Sequence, residues 1–266
     1  MKGFRAIGLK AGYGAAPVLE DVSFSAEAGE LLGVLGANGS GKTTLLKSIC
    51  GILPHAGECT LEGVRLEGLS ARRIAEKCSY IPQRSGVAID ISALDVVLMG
   101  FNARLRLLEQ PDSAMRRQAL SALAAVGLGG REETNYQHLS EGQKQMCILA
   151  RTLVTDCRLL LMDEPESALD FRYRYRMLDI VRRRITETGG VGIVSLHDPS
   201  LALNSCDKLL LLQGGRCMGV LRPSADPLAR MEELLSQIYG SVSLALCRDK
   251  RGREHIVMLK EREETP

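Results

Sequence analysis

A glycine-rich segment early in the sequence has residue types and spacing suited to binding phosphate. It begins at Gly36 and matches GxxxxGK[ST] directly after an apolar run at residues 31–35, a context that favours a phosphate-binding loop over a chance glycine-rich turn. Backbone N–H groups can turn towards phosphate oxygens here, and a helix beginning near Gly41 adds its positive end. Lys42 is expected to reach the β and γ phosphates of a nucleotide, and Thr43 to offer its hydroxyl to Mg²⁺. The predicted nucleotide contacts are Gly36, Ala37, Asn38, Gly39, Ser40, Gly41, Lys42, Thr43 and Thr44.

Two neighbouring acids form a second candidate centre. Asp163 and Glu164 follow the apolar run 159–162 and precede Pro165. Ligands collect at the carboxyl ends of strands in open parallel sheets, and adjacent strand residues point to opposite faces, so the two acids should have different roles. We expect Asp163 to hold the Mg²⁺ shell and Glu164 to polarise the water that attacks the γ phosphate. The structural alternative is a polar strand end stopped by proline.

A predicted helix start lies between these two centres. Ser140 and Gln143 fit an S-x-x-Q capping box before the helical run 144–153. This helix start exposes backbone N–H groups, a serine hydroxyl and a positive dipole end to an anion, yet it brings no lysine of its own. Such a half-site makes sense if another chain supplies the nucleotide; otherwise it is a helix cap and nothing more.

The order of these motifs resembles that of the ATP-binding subunits of ABC transporters. The segment 139–143, LSEGQ, is similar to the LSGGQ signature of that family, and the match covers about residues 4–240. The resemblance implies an ATPase that closes as a homodimer around two ATP molecules. Each ATP is then expected to lie between the phosphate loop of one chain and Ser140, Gly142 and Gln143 of the other.

The same resemblance implies roles for four isolated residues. Gln83 is expected to contact Mg²⁺ or the attacking water and to connect to a membrane partner. His197 is expected to contact the γ phosphate and to help position the water of Glu164. Tyr13 resembles the aromatic residue that stacks on adenine, and Asp170 resembles a residue of the loop that spans the dimer interface. Taken alone, Gln83, His197 and Tyr13 would be ordinary turn or strand-end residues.

Two departures from the family pattern concern acids. Glu141 stands where the signature usually has glycine, and Glu166 follows Pro165 where a small hydroxyl residue is usual. Both are expected to place carboxylates near the nucleotide and so to affect hydrolysis rate and affinity. A nucleotide-gated regulatory protein that hydrolyses poorly therefore stays an alternative.

The resemblance also implies partners and a cargo class. Residues 91–100 and 195–202 are similar to importers of iron-siderophores, haem and cobalamin. By that likeness the chain works with transmembrane permease subunits and an extracytoplasmic substrate-binding protein, using ATP and Mg²⁺ at the inner face of the cell membrane. The alternatives are an ABC ATPase for another solute, or a non-transport ABC ATPase such as those of iron–sulfur assembly.

The elements that position these residues follow an α/β pattern. Short apolar runs alternate with amphipathic stretches, which predicts a parallel sheet covered by helices. The full prediction is a P-loop NTPase fold with a mixed sheet core, an antiparallel β flank and an inserted helical subdomain. Its strands are at 4–9, 18–24, 31–35, 159–162, 192–196 and 208–213, and its helices at 93–99, 112–126 and 141–153. Its domains are an ATPase domain at 1–240, with the helical subdomain at about 85–157, and a C-terminal hairpin appendix at 241–266 with strands at 241–247 and 254–259.

Composition and charge exclude several other classes. The 34 basic and 32 acidic side chains leave a net charge of +2, so no global field favours nucleic acid. Eight cysteines are scattered without a CxxC pair, which indicates reduced thiols in a cytosolic protein rather than zinc or iron–sulfur ligation. No apolar run approaches the ~20 residues that cross a bilayer, and the N-terminus lacks the pattern of a signal peptide. These observations predict a cytoplasmic protein that does not span a membrane by itself, and the resemblance implies that it is peripheral to the membrane.

Overall fold

Three β-sheets organise the computed structural model, which describes residues 2–14, 16–83, 89–106 and 108–261. The strands are β1 (Gly3–Tyr13), β2 (Ala16–Glu27), β3 (Leu31–Leu35), β4 (His55–Leu61), β5 (Val64–Arg65), β6 (Cys78–Ile81), β7 (Leu159–Asp163), β8 (Val191–Ser195), β9 (Lys208–Gln213), β10 (Arg216–Leu221), β11 (Val242–Arg248) and β12 (Glu254–Lys260). The helices are α1 (Lys42–Ile49), α2 (Ala71–Lys77), α3 (Ala93–Leu98), α4 (Ser113–Ala125), α5 (Glu141–Leu153), α6 (Phe171–Thr188), α7 (Pro199–Ser205) and α8 (Leu228–Tyr239).

The central sheet has six strands in the order β10-β9-β3-β8-β7-β6. All its pairings are parallel except the one at the β10 edge. Every residue of β3, β7 and β8 is buried, as expected for strands covered on both faces. Val34 and Asp163 both pair with Ser195, so the loops that follow these three strands meet at one edge of the sheet. The predicted α/β fold with a mixed sheet is confirmed.

The two faces of the central sheet bury separate apolar clusters. Along β3, Leu31 and Leu35 pack into one cluster, whereas Leu32 and Val34 pack into the other. This alternation follows from the period of two along a strand. The first cluster continues into α3, α4 and α5, while the second lies beneath the antiparallel sheet and α1. The helix after the phosphate loop is thereby fixed between two sheets.

The antiparallel flank is larger than the sequence predicts. Its order is β2-β1-β4-β5, and β1 and β2 extend beyond the predicted bounds at both ends. Strand β4 escaped prediction because its sequence, HAGECTL, mixes polar and small residues with few apolar ones. Pairing with β1 across the sheet overrides this weak local preference.

Helices α3, α4 and α5 confirm the predicted helical segment. No strand lies in its described part between residues 89 and 157, where Ser92 and Asn135 form one isolated bridge. Residues 84–88, at the predicted start of this segment, lie outside the described residues. The apolar contacts of these helices are continuous with one face of the central sheet. The division into a core and an inserted subdomain stays a prediction.

The C-terminal hairpin forms as predicted and packs against two helices. Strands β11 and β12 pair in antiparallel register, and residues 262–266 beyond them lie outside the described part of the chain. Asn204 on α7 exchanges two hydrogen bonds with the backbone of Ile256, and Glu232 on α8 accepts one from Leu244 N at 2.6 Å. Within the described ranges, no helix is both long and apolar enough to span a membrane.

Candidate functional site

The phosphate loop has the predicted strand–loop–helix context. It connects β3 to α1, and Gly41 is the N-cap of that helix. Gly41 has φ 104° and Gly39 has φ 76°, positive values that residues with a side chain rarely adopt. A Cβ at Gly36 would lie 2.2 Å from the carbonyl oxygen of Leu212 in β9, so this position has room for glycine alone. The loop is therefore shaped by close packing on the central sheet as well as by its own turns.

Lys42 lies at the base of this loop with its side chain 5% exposed. Its Nζ donates to the carbonyl oxygens of Gly36 at 2.8 Å and Ala37 at 3.4 Å, and lies 3.6 Å from Glu164 Oε1. These contacts hold the ammonium group inside the curve of the loop. A phosphate bound in the loop would meet this positive charge directly.

A cleft of about 400 Å³ opens over the loop and is lined by the loop and by residues from four further segments of the chain. Its walls are formed by Tyr13, Val18, Asn38, Gly39, Ser40, Gly41, Lys42, Thr43, Thr44, Gln83, Glu164 and His197. Tyr13 stands at the mouth and is 55% exposed. Its place fits a residue that stacks on a base while the loop binds the phosphates.

Two predicted residues, Gln83 and His197, converge on one carboxylate oxygen of Glu164. Glu164 Oε2 accepts a hydrogen bond from Gln83 Nε2 at 2.6 Å and lies 2.6 Å from His197 Nε2. The Glu164 backbone has φ 47°, a left-handed conformation that is costly for a residue with a side chain. Asp163 and Glu164 do lie in different surroundings, but the turn at Glu164 separates them rather than strand alternation, because β7 ends at Asp163. This turn aims the Glu164 carboxylate into the cleft.

Asp163 lies behind the cleft rather than on its wall. It is 1% exposed, and its Oδ1 accepts from the Ser195 hydroxyl at 2.9 Å while its Oδ2 accepts from Tyr80 at 3.3 Å. Burial, and then the neighbouring Asp163, raise the pKa of Tyr80, so the phenol stays a donor. Sequence reasoning did not assign these two partners. The sheet register, which pairs Asp163 with Ser195, is the signal that identifies the serine.

The signature segment forms a second, separate cleft. Ser140 Oγ accepts from Gln143 N at 3.3 Å and Gln143 Oε1 accepts from Ser140 N at 3.0 Å, which confirms the capping box. The cleft, of about 400 Å³, is lined in part by Ser140, Gly142, Gln143 and Asp170 and shares no residue with the cleft over the phosphate loop. Asp170 caps α6 by accepting from Tyr173 N at 3.0 Å. One chain thus carries two clefts with no residue in common.

The two unusual acids have different surroundings. The Glu141 side chain is 76% exposed and pairs with Lys144 Nζ at 2.8 Å, so part of its charge is compensated. Glu166 is 2% exposed; its Oε1 accepts from His197 N at 2.8 Å, and its Oε2 is buried without a hydrogen-bond partner among the described residues. Burial raises the pKa of Glu166. This carboxylate supports the backbone of His197 from beneath and does not line the cleft.

Replacing Glu166 with glutamine is expected to stabilise the protein at neutral pH. A raised pKa in the folded protein means that the ionised carboxylate costs stability above that pKa, and the cost disappears as the pH falls through it. The Glu166→Gln variant should therefore unfold at a higher urea concentration than the wild type at neutral pH, with a smaller difference in mild acid. The exposed Glu233→Gln variant is the control. A difference that grows on acidification would contradict the assignment.

Another surface cleft lies elsewhere and contains none of the predicted site residues. It measures about 510 Å³ and is lined by residues of α4, α6 and the end of α5, with Arg104 and Asp156 forming an ion pair at its edge. Its size alone does not point to chemistry, because it lacks the loop glycines, the buried lysine and the convergent carboxylate.

The fold and the first cleft together define a P-loop nucleotide-binding protein of the α/β class. A model of the ABC transporter family matches residues 19–167, and the chain belongs to that family. Within it, the chain is the ATP-binding subunit that hydrolyses ATP.

The chain is similar to proteins named "Hemin import ATP-binding protein HmuV". The one from Jannaschia sp. (strain CCS1) is 36% identical over 235 residues, 85% of this chain and 83% of the relative. The one from Pseudomonas fluorescens (strain Pf0-1) is 36% identical over 263 residues, 95% of this chain and 98% of the relative.

Solved structures of low sequence identity share the fold. A chain described as part of an inward-facing ABC transporter of metal-chelate type matches 98% of this chain with a TM-score of 0.82 at 24% identity. An ATP-binding cassette in a dimeric post-hydrolysis state, bound to ADP and Pi, matches 83% with a TM-score of 0.74 at 21% identity.

Proposed function

We propose that this chain energises the import of a metal chelate, hemin before iron-siderophores or cobalamin, through a separate membrane permease. The observation that carries this proposal is the match to hemin import ATP-binding proteins along up to 95% of the chain. Import of another solute is the alternative within transport. A non-transport ABC ATPase, as in iron–sulfur assembly, is the alternative outside it.

The contacts of the first cleft support a division of labour in hydrolysis. Lys42 binds the β and γ phosphates, and Glu164 accepts a proton from the attacking water. His197, which contacts the same carboxylate oxygen as Gln83, holds the γ phosphate and orients that water. Tyr13 stacks on the adenine. Gln83 and His197 both contact Glu164 Oε2. We therefore assign Oε1, which lies 3.6 Å from Lys42 Nζ, as the oxygen that accepts the proton of the attacking water.

The residues around the loop also fit a magnesium ion in part. Thr43 and Gln83 line the cleft and offer oxygen atoms of the type that Mg²⁺ prefers. Asp163 is one layer deeper, with both oxygens engaged by Ser195 and Tyr80, so it fits an indirect contact better than a direct one. The ion, when bound with ATP, neutralises charge that develops between the β and γ phosphates.

The separation of the two half-sites supports a head-to-tail homodimer. Ser140, Gly142 and Gln143 present a capped helix start without a lysine, and Lys42 and its loop lie in a different cleft of the same chain. In the dimer, each ATP lies between the phosphate loop of one protomer and the signature helix of its partner. Loss of the γ phosphate removes the charge-assisted bonds that join them, and the resulting opening drives the permease.

The partners that follow from this proposal are the permease, bound at the inner face of the membrane near Gln83 and the helical segment, and an extracytoplasmic substrate-binding protein. We expect no nucleic acid to bind, because the net charge is only +2.

The transport proposal is tested by isolating the native membrane complex and reconstituting it in liposomes. Hemin presented with the copurifying extracytoplasmic binding protein should raise ATP hydrolysis several-fold above the rate without hemin. A cobalamin and a ferric siderophore are the matched alternative cargoes. Stimulation by one of these alone would redirect the cargo assignment. If no membrane protein copurifies, the transport proposal itself is wrong.

A further inference from the structure

We propose that His55, Cys59 and Glu67 form a binding site for a thiophilic divalent cation of the Zn²⁺ type. His55 and Cys59 lie on β4 of the antiparallel sheet and Glu67 lies in the turn after β5, near the carboxyl end of α1; none of them lines the three clefts described above. No role in ATP hydrolysis accounts for them. Their ligand atoms, the imidazole nitrogen, the thiol sulfur and a carboxylate oxygen, all lie within 4.8 Å of one another.

Local structure explains why these atoms meet. His55 and Cys59 are four residues apart on β4, with Gly57 at φ 95° between them, and the imidazole nitrogen and thiol sulfur lie within 4.8 Å of each other. After the short strand β5 the chain turns back, because Leu66 N donates to Cys59 O at 2.9 Å. This turn brings Glu67 beside the strand, where its Oε1 accepts from Cys59 N at 2.5 Å and lies 3.1 Å from His55 Nε2.

Two buried polar atoms at the site lack hydrogen-bond partners among the described residues. They are Glu67 Oε2 and the hydroxyl oxygen of Ser48, in the last turn of α1. The cationic atom Arg65 Nε lies 3.7 Å from Glu67 Oε2, which is beyond hydrogen-bonding distance. The Arg65 side chain is 61% exposed. Ser48, His55 and Glu67 all line one cavity of about 250 Å³. A buried carboxylate oxygen that lacks a hydrogen bond, on a residue that lines a cavity, is a group that a cation would satisfy.

A simple histidine–carboxylate ion pair explains less of this arrangement. It accounts for the 3.1 Å contact, but it leaves Glu67 Oε2 without a hydrogen bond and does not involve the buried thiol of Cys59, which lies within 4.8 Å of both partners. A thiolate and a carboxylate carry two negative charges, which a dication neutralises. Imidazole, thiolate and carboxylate are the zinc-type ligand set, and three protein ligands leave a fourth position for a small ligand such as water.

The location gives the cation a structural consequence. Bound there, it links β4 to the turn at Glu67 beneath α1, the helix whose other end forms the phosphate loop. The sequence spacing H-x3-C-x7-E matches no familiar zinc motif, so the cysteine pattern alone did not indicate this site. The three ligand residues are brought together by the fold and not by a recognisable sequence motif.

The test uses the purified full-length chain, reduced, freed of metal by chelator and kept without nucleotide. Titration with Co²⁺ should produce a thiolate-to-cobalt charge-transfer band that Zn²⁺ abolishes by displacement at one ion per chain. Cys59→Ser should lose the band. His55→Gln and Glu67→Gln, which keep the buried thiol, should each weaken Zn²⁺ binding by roughly tenfold or more, with folding checked by circular dichroism.

Two matched variants separate this site from accidental binding. Cys247→Ser removes an exposed thiol, and His255→Gln removes the histidine of an exposed histidine–carboxylate pair, His255 with Asp249 at 3.4 Å. Both should bind Co²⁺ and Zn²⁺ as the wild type does. The proposal is overturned if the wild type takes up no stoichiometric metal, if the band survives in Cys59→Ser, or if the control variants lose it. None of these measurements depends on ATP or on a membrane partner.

Discussion

Glu164→Gln is expected to lower ATP hydrolysis by roughly 10²–10⁴-fold while ATP binding persists. Glutamine has nearly the same shape and can still meet Gln83 and His197 within the cleft, but it cannot accept a proton from the attacking water. The γ phosphate then stays in place, so the variant should accumulate as an ATP-bound dimer. Steady-state phosphate release and size-exclusion chromatography with ATP measure the two effects.

The matched control for this variant is Glu166→Gln. It makes the same chemical change at a buried carboxylate two residues away, which supports the backbone of His197 but does not line the cleft. We expect it to lower hydrolysis by less than about tenfold. If Glu164→Gln hydrolysed ATP at the wild-type rate, or if both variants lost activity equally, Glu164 would not be the base.

The sequence best predicts those elements whose local residue pattern matches their burial in the folded protein. Strands β3, β7 and β8 are buried on both faces, so their apolar runs are uninterrupted and short. The capping box at Ser140 is equally local and is present as predicted. Strands β4 and β5 were missed because their stability comes from pairing with distant residues rather than from composition.

The sequence predicts which residues form the candidate site better than it predicts how they are arranged. The phosphate loop carries its own motif, whereas Gln83 and His197 depended on the family resemblance. The positive φ of Glu164 could not be foreseen, because no glycine marks the position. Ser195 and Tyr80 donate hydrogen bonds to Asp163 because β8 and β6 flank β7 in the sheet. This strand order cannot be derived from a single sequence.

If each ATP site is shared between two chains, two variants that cannot dimerise alone should dimerise when they are mixed. Both variants carry Glu164→Gln, and each has one further substitution on a different side of the site. Adding Lys42→Ala removes the buried ammonium group and should weaken ATP binding by roughly 10–100-fold. Adding Gly142→Asp places a negative charge at the signature helix start. A Cβ there lies 3.4 Å from the nearest atom, and an acid in the first turn favours the helix, so this variant should fold and bind ATP in its own loop.

Neither variant should form an ATP-bound dimer alone. In a dimer of identical copies, both ATP sites lack either the Lys42 ammonium group or an intact helix start at Gly142. Mixed together with different affinity tags, they should associate in ATP and retain one nucleotide per dimer. The intact interface combines Lys42 of the Gly142→Asp chain with Gly142 of the Lys42→Ala chain. Gly142→Asn, of equal size but neutral, should dimerise better than Gly142→Asp, because repulsion of the triphosphate is then absent. Failure of the mixture to associate, or full dimerisation of the Gly142→Asp chain by itself, would mean that each protomer completes its own site and that the trans arrangement is wrong.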